Sequence, residues 1–163
     1  MSNSIKFIVY GDPKGKARPR FKRMGKFTLT YTPKETVEYE SSVRKSFLTT
    51  ARKVNFKKLG GPVEVEVKSV FRIPKSLSRK KQEELLGQPV IKKQDMDNII
   101  KLACDSVNGI AYEDDAQVCK VTGYKYYGLE PRIEVTIKQY KQAIQPFIFL
   151  DKDESINPIR FMK

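Results

Sequence analysis

The sequence predicts a single domain of the α+β class, in which a sheet of about four strands packs with two to three helices. The chain has 163 residues, close to the usual size of one domain. Apolar and polar residues alternate at residues 63–68 and 133–137, which is the period of strands with one solvated face. Helix start and stop signals lie between these two segments.

The first expected element is a strand at residues 5–10, which is rich in β-branched and aromatic residues and ends at a Gly-Asp-Pro turn. Residues 14–26 follow, with seven basic side chains, no acidic one, two glycines and a proline. That composition favours a loop or an open hairpin over a helix. A short strand is expected at residues 27–31.

The next expected element is a helix that begins at Pro33, after a cap at Thr32, and extends to about Lys53. Thr32 fits the cap position, Pro33 fits the first helical position, and Glu35 completes a capping box. The stripe of apolar residues along this helix is loose, so its end is less well defined than its start.

The second half of the chain repeats the alternation of strand and helix signals. A strand begins at residue 63, and a short helix stops near residue 86 before a glycine. A longer helix begins at about Asp97 and ends at an Asn-Gly cap. Strands near residues 117–127 and 132–140 complete the expected sheet.

We assign residues 1–140 to this domain and residues 141–163 to a C-terminal tail of unknown role. No apolar run approaches the roughly 20 residues that span a bilayer. The N-terminal segment also lacks the apolar core of a signal peptide. We therefore expect a cytoplasmic protein without a membrane partner.

Charge and composition narrow the chemistry. The formal net charge is +13, and a basic excess of this size attracts polyanions such as nucleic acid. The chain has no histidine, and its two cysteines lack Cys-x-x-Cys spacing, which disfavours a zinc site. Catalysis would therefore depend on carboxylates, lysine, tyrosine or water bound to another metal.

Six acidic side chains lie within residues 95–115, where Lys101 is the only basic residue. They are Asp95, Asp97, Asp105, Glu113, Asp114 and Asp115. Hard cations such as Mg²⁺ prefer oxygen ligands. An acidic window within a basic chain therefore predicts metal-dependent chemistry on phosphodiesters.

Within this window, Asp95 and Asp97 are two residues apart and project to the same side if the segment is extended. Lys101 follows Asp97 by one helical turn, near the same face. A helix that folds back on a strand would return Asp114 or Asp115 to the first pair. Three converging carboxylates disfavour one another's ionised forms unless a cation lies between them.

Each of these residues also has a purely structural interpretation. Asp97 can cap the helix, and the pair Asp114-Asp115 can form an ordinary turn. Lys101 can pair with a neighbouring acid on a solvated face. The prediction of a metal site therefore rests on the combination of residues.

Basic residues in the N-terminal segment 14–26 and just before Asp95 are candidate DNA contacts. Arginine and lysine neutralise phosphates and release counterions, and arginine also stacks on bases. The alternative is a solvated loop that improves solubility. The predicted contacts are Lys14, Lys16, Arg18, Arg20, Lys22, Arg23, Lys92 and Lys93. A second basic group comprises Arg72, Lys75, Arg79, Lys80 and Lys81.

The segment KKQDMDNIIKLACDSVNGIAYEDDAQV resembles the signature of the RusA family of Holliday-junction resolvases. The shared pattern is a basic approach, Asp-x-Asp-Asn, a lysine four residues after the second acid, Asp-x-x-Asn-Gly and Asp-Asp-x-Gln-Val. The segments GDPKGKARPR and TYTPKETVEYE are similar to the N-terminal region of that family. The resemblance covers roughly residues 5–140.

The resemblance implies a RusA-like endonuclease domain in residues 1–140 that forms a mixed α/β homodimer. Such an enzyme resolves four-way DNA junctions by paired symmetric nicks in recombination and repair. Members are often carried by phages and prophages. In this chain, Lys92-Lys93-Gln94 departs slightly from the Lys-Pro that commonly precedes the first acid.

The resemblance also implies roles for individual residues. Asp95, Asp97 and Asp115 match the catalytic, magnesium-associated acids of the family, and Lys101 matches its essential lysine. Asp114 is adjacent to Asp115 and could take its place as a ligand.

Two other functions stay open on the sequence alone. A non-catalytic, structure-specific DNA-binding protein would bind junctions in a salt-sensitive way without nicking them. An enzyme that transfers a glycosyl or nucleotidyl group with an Asp-x-Asp metal site would bind a nucleoside-diphosphate sugar without affinity for DNA.

Overall fold

The computed structural model of the chain describes residues 3–91 and 94–141. In chain order its elements are β1 (Ser4–Tyr10), β2 (Arg20–Met24), β3 (Phe27–Tyr31), α1 (Lys34–Lys53), β4 (Val63–Arg72), α2 (Arg79–Leu85), α3 (Met96–Val107), a 3₁₀ turn (Asp115–Gln117), β5 (Val118–Gly128) and β6 (Arg132–Gln139). A four-stranded sheet with three helices confirms the α+β class. Lys92, Lys93 and most of the predicted tail lie outside the described residues.

The four-stranded sheet has the order β1-β6-β4-β5. β6 pairs antiparallel with both β1 and β4, whereas β4 and β5 are parallel. A parallel pair needs a crossover connection, and α2 and α3 supply it here. β2 and β3 form a separate antiparallel hairpin between β1 and α1.

The core lies between one face of the sheet and the helices α1 and α3. Alternate residues of β1, β4 and β6 point into it, as the period-two pattern predicts. α1 contributes Val43 and Phe47, and α3 contributes Ile99 and Leu102, all almost fully buried. The rings of Phe7 and Phe47 meet edge to face with centroids 5.6 Å apart.

The opposite face of the sheet is covered by ion pairs. Glu64 accepts Lys120 at 3.2 Å and Lys138 at 3.3 Å, which joins three strands. Glu134 pairs with Lys6 at 2.8 Å and with Arg132 at 2.8 Å. The hydrogen bond from Lys6 and, to a smaller extent, that from Arg132 lower the pKa of Glu134. This face therefore differs from the apolar face beneath the helices.

The predicted start of α1 is wrong in one detail. The helix begins at Lys34, so Pro33 occupies the cap position, and no side chain caps the helix. The capping box predicted for Thr32 and Glu35 is therefore absent. Within residues 3–91 and 94–141, no helix is long and apolar enough to cross a membrane.

Gly128 provides a test of the packing between β5 and β4. A Cβ atom at Gly128 would lie 2.4 Å from the Cγ1 atom of the buried Val70, whereas one at Gly60 would meet nothing within 4 Å. We expect Gly128→Ala to lower the free energy of unfolding by about 1–3 kcal/mol. Gly60→Ala should change it by less than about 0.5 kcal/mol. Urea denaturation measures both, and equal effects would contradict this packing.

Candidate active site

The N-terminus of α3 presents two of the predicted catalytic acids to solvent. Asp95 occupies the cap position with an extended backbone, and Asp97 is the second helical residue. The helix starts one residue earlier than predicted, so the alternation expected for an extended Asp-x-Asp segment does not apply. Asp95 makes no side-chain capping bond, and Asp97 lies inside the helix, beyond the cap position. Neither side chain therefore caps α3. The positive end of the helix dipole favours both carboxylates.

Lys101 lies one turn further along α3 and is exposed. Asp115 opens the 3₁₀ turn before β5 and is also exposed. Burial raises the pKa of the Cys104 thiol to about 11, and the charges of Asp105 and Asp115 act in the same direction. Cys104 follows Asp97 by two helical turns, about 10 Å along the axis.

The described residues do not assemble the three predicted acids into one cluster. In residues 3–91 and 94–141, no group of three histidine, cysteine, aspartate or glutamate side chains is placed to hold a metal ion. The donor chemistry still fits Mg²⁺, which is commonly held by one or two carboxylates and completes its shell with water and substrate phosphates. Asp95 and Asp97 supply such carboxylates at the start of α3, and Asp115 is a third exposed carboxylate at the start of the 3₁₀ turn.

The other acids of the window are engaged by the fold. Asp105 pairs with Lys16 at 3.0 Å, and Glu113 pairs with Lys58 at 2.6 Å. Asp114 accepts a hydrogen bond from the backbone N–H of Ala116 at 2.8 Å and so caps the 3₁₀ turn. These three carboxylates therefore have structural partners.

By contrast, Asp95, Asp97 and Asp115 form no salt bridge within the part of the chain that the structure describes. Lys101 forms none there either. Exposed acids that have no counter-charge among the described residues, in a chain of net charge +13, are available to a ligand. The fold thus separates the acidic window into engaged and available residues.

The turn before β5 gives the adjacent acids Asp114 and Asp115 different contacts. The side chain of Gln117 accepts backbone hydrogen bonds from Glu113 at 2.7 Å and Asp114 at 3.1 Å, which completes a capping box. The sequence signal for this box was the spacing Asp-x-x-Gln. Sequence reasoning missed it and left Asp114 and Asp115 as alternatives, whereas the structure gives Asp114 a capping role.

Lys16 fastens the basic segment to the helices. Its side chain is 27% exposed and lies between Glu40 of α1 and Asp105 of α3, and its ammonium group donates a hydrogen bond to Glu40. Partial burial works to lower the pKa of Lys16, but Glu40 and Asp105 outweigh it and raise that pKa. The backbone N–H of Lys16 also donates to the carbonyl of Asn98 at 2.8 Å. Nothing in the sequence marked Glu40 as its partner.

Gly15 permits this close approach. A Cβ atom there would lie 2.9 Å from the Cβ of Asn98 and 3.2 Å from Oε1 of Gln94. Any larger residue would push the segment away from the first turn of α3. The sequence places a glycine where the basic segment crosses the helix that carries Asp95 and Asp97.

Two surface grooves meet beside this crossing. Both are lined by Lys14 and by Gln94, the residue directly before Asp95. Arg72 and Lys75 line the first groove, and Arg20 and Lys34 line the second. The ammonium group of Lys125 donates a hydrogen bond to the backbone carbonyl of Gln94 at 2.9 Å, which holds the backbone just before Asp95.

The predicted DNA contacts therefore fall into several groups. Lys14 and Arg20 line grooves beside the site, and Arg18, Lys22 and Arg23 are exposed. Lys16 has its charge paired within the fold, so its contact with DNA stays a prediction. Lys34 and Gln94 were missed, because neither belongs to a dense basic run.

Comparisons with known proteins agree with the sequence resemblance. The family described as Endodeoxyribonuclease RusA matches residues 10–138. The chain is also 34% identical over 140 residues to the uncharacterized protein YqaN of Bacillus subtilis (strain 168). That alignment covers 83% of this chain and 96% of the relative. The matched region includes the basic segment, α3 and the turn that carries Asp115.

The ion pairs of Lys16 generate a stability prediction. Lys16→Met leaves Glu40 and Asp105 close together without their cation, and we expect a loss of about 1–2 kcal/mol in the free energy of unfolding. Lys14→Met is the matched control, because Lys14 pairs with the exposed Glu35 at 3.6 Å. It should cost less than about 0.5 kcal/mol.

The same pair of variants has a defined pH dependence. Because the pKa of Lys16 is raised above its ordinary value of 10.5, its contribution is fully present below that value. It is lost as the pH rises through the raised pKa. The difference between wild type and Lys16→Met should therefore stay constant from about pH 7 to about pH 10 and shrink above it. A difference that shrinks across the neutral range would contradict this assignment.

Proposed function

This chain belongs to the RusA family of endodeoxyribonucleases, and we propose that it is a Mg²⁺-dependent enzyme that resolves four-way DNA junctions by paired symmetric nicks. The observation that carries this proposal is that the acids of residues 95–115 fall into two groups. Asp105, Glu113 and Asp114 are engaged by the fold, while Asp95, Asp97 and Asp115 have no counter-charge among the described residues. These three available acids are the ones that match the catalytic acids of the family.

Asp95, Asp97 and Asp115 would hold Mg²⁺ together with oxygens of the scissile phosphate. A bound divalent cation supplies activation of water and neutralises charge at the leaving oxygen. Lys101 would stabilise the charge that develops on the phosphoryl group in the transition state. Its exposed position one turn from Asp97 suits that role.

The basic grooves would position the DNA strand. Lys14 borders both grooves next to Gln94 and Asp95, so a phosphate backbone that follows them passes the N-terminus of α3. Arg72 and Lys75 on one side and Arg20 and Lys34 on the other would neutralise successive phosphates. Lys92 and Lys93 precede the acids directly in sequence and would add to this approach.

Paired nicks need two active sites in a fixed relation. A four-way junction is nearly two-fold symmetric, and a homodimer has an isologous interface that places identical sites symmetrically. We therefore propose that the chain acts as a homodimer in recombination and repair of cytoplasmic DNA. Light scattering with size-exclusion chromatography measures its mass directly.

A non-catalytic DNA-binding protein of this family is the main alternative. Exposed carboxylates beside a phosphate-binding groove would weaken binding in such a protein and serve no purpose. Three such acids have no counter-charge in the part of the chain that the structure describes, and this observation favours the enzyme.

Three substitutions test the metal site. Asp95→Asn, Asp97→Asn and Asp115→Asn should each lower cleavage of a synthetic four-way junction in Mg²⁺ by about a hundred-fold or more. Junction affinity in EDTA should stay equal or increase, because each change removes a negative charge near the phosphates. Chelation of Mg²⁺ should abolish cleavage by the wild-type protein.

Two matched controls come from the same window. Glu113→Gln removes one exposed charge that pairs with Lys58, and Asp114→Asn retains a good capping side chain. Both should cleave within about two-fold of wild type. Cleavage that survives Asp95→Asn and Asp97→Asn would refute the metal site. Loss in Asp114→Asn but not in Asp115→Asn would exchange their roles.

A salt titration tests the groove. Arg20→Gln should weaken junction binding uniformly across sequences and reduce the slope of log K against log salt by about one. Lys53→Gln removes one exposed charge at the far end of α1 and should leave that slope unchanged. Equal slopes for both variants would remove Arg20 from the DNA path.

A further inference from the structure

The β2–β3 hairpin is an exposed arm. All ten residues of its two strands are exposed. Gly25 and Lys26 form its two-residue turn, and Gly25 has a φ of +62°, which suits glycine at the first position of such a turn. A hairpin of two strands is marginally stable in water by itself. An arm of this kind gains stability from a ligand that it binds.

The arm exposes more apolar surface than a solvated hairpin needs. Phe27 at the tip is 80% exposed and Phe21 is 72% exposed. Met24, Leu29 and Tyr31 are also exposed large side chains. Contiguous exposed apolar surface on a folded protein marks an interaction site.

The register places these side chains on two different faces. The pairs Arg20–Tyr31, Lys22–Leu29 and Met24–Phe27 share one face, because opposite residues of an antiparallel pair point the same way and residues two apart repeat it. The pair Phe21–Thr30 lies on the other face. The first face therefore combines two aromatic rings with two cations.

This first face leads to the candidate active site. Arg20 and Tyr31, at its base, line the same groove as Lys14 and Gln94. Gln94 directly precedes Asp95. A strand that follows the groove away from the acids therefore meets Tyr31 first and Phe27 last.

The charge of the arm identifies its occupant. Residues 20–31 contain Arg20, Lys22, Arg23 and Lys26 and no acidic residue. A second copy of the arm would bring like charges together. A polyanion with flat apolar faces, which is nucleic acid with unstacked bases, matches both the cations and the rings.

We propose that the face of the hairpin formed by Tyr31 and Phe27 stacks on unpaired bases of DNA, and that this contact makes the protein favour branched over linear DNA. The inference rests on the proposed function and extends it to substrate selection. Bases inside a linear duplex are stacked on one another and offer no free face. Bases at a branch point or in a single strand can be splayed onto an aromatic ring.

The test measures binding in EDTA, so that it needs neither metal nor cleavage. Fluorescence anisotropy of the full chain gives Kd for a labelled thymidine oligonucleotide, a four-way junction and a linear duplex. Phe27→Ala should raise Kd for the oligonucleotide about five- to hundred-fold, and it should also raise Kd for the junction. Kd for the duplex should change less than about two-fold. Phe27→Trp should retain wild-type affinity, because it keeps a stacking ring.

Phe21→Ala is the matched control. Phe21 has the same ring on the same hairpin but lies on the opposite face, so its removal should leave all three Kd values unchanged. Both variants should unfold at the wild-type temperature, because neither ring is buried. An equal loss of duplex and oligonucleotide affinity in Phe27→Ala, or no loss at all, would overturn the proposal.

Two further outcomes would reassign the arm. A lower mass of Phe27→Ala in light scattering would assign the face to a second copy of the chain. Loss of binding to phosphatidylserine vesicles with unchanged DNA affinity would assign it to a membrane surface. Because no arm of the binding test depends on cleavage, its result is separate from the outcome for Asp95→Asn.

Discussion

The ion pairs of Lys16 with Glu40 and Asp105 are the contacts on which the arrangement of the site depends. They join the basic segment to α1 and α3 at once, and the hydrogen bond from Lys16 to Asn98 fixes the segment along the first turn of α3. Gly15 allows the contact because no side chain separates the two backbones. A chain of this charge would otherwise keep its basic segment away from its other cations. Internal acids thus hold a cationic surface in place beside an acidic site.

The same division of acids explains how one window can serve both structure and chemistry. Asp105 and Asp114 have structural roles: Asp105 forms an ion pair with Lys16, and Asp114 caps the 3₁₀ turn. Asp95, Asp115 and Lys101 are all exposed. Asp105 holds Lys16 and with it the basic segment, so removing this acid would disturb that segment without touching a substrate. A carboxylate count alone could not make that distinction.

Strands β4 and β6 were predictable because each has one buried face, and the alternation at residues 63–68 and 133–137 records that burial directly. The helix ends were less predictable, since a cap depends on one local bond: Thr32 fitted the pattern, yet the helix begins after Pro33. The candidate acids came from the acidic window, and the family resemblance matched Asp115 to a catalytic acid. Spacing alone could not tell Asp114 from Asp115, because both are polar turn residues. Glu40 could not be found at all, because its partner lies 24 residues away in the chain.

The exposed acids Asp95 and Asp97, close to the basic grooves of the protein, impose a condition on the proposed enzyme. A phosphate that enters the groove brings negative charge towards Asp95 and Asp97, and that repulsion opposes binding unless a cation is taken up as well. Thermodynamic linkage makes this coupling reciprocal. If bound DNA raises the affinity of the protein for the cation by some factor, the bound cation raises its affinity for DNA by the same factor. Lys92 and Lys93 precede the acids in sequence, and their positive charges would offset part of this repulsion. The acids would then act as a metal site mainly when DNA supplies the remaining oxygens, which accounts for a site whose three carboxylates do not converge in the protein alone.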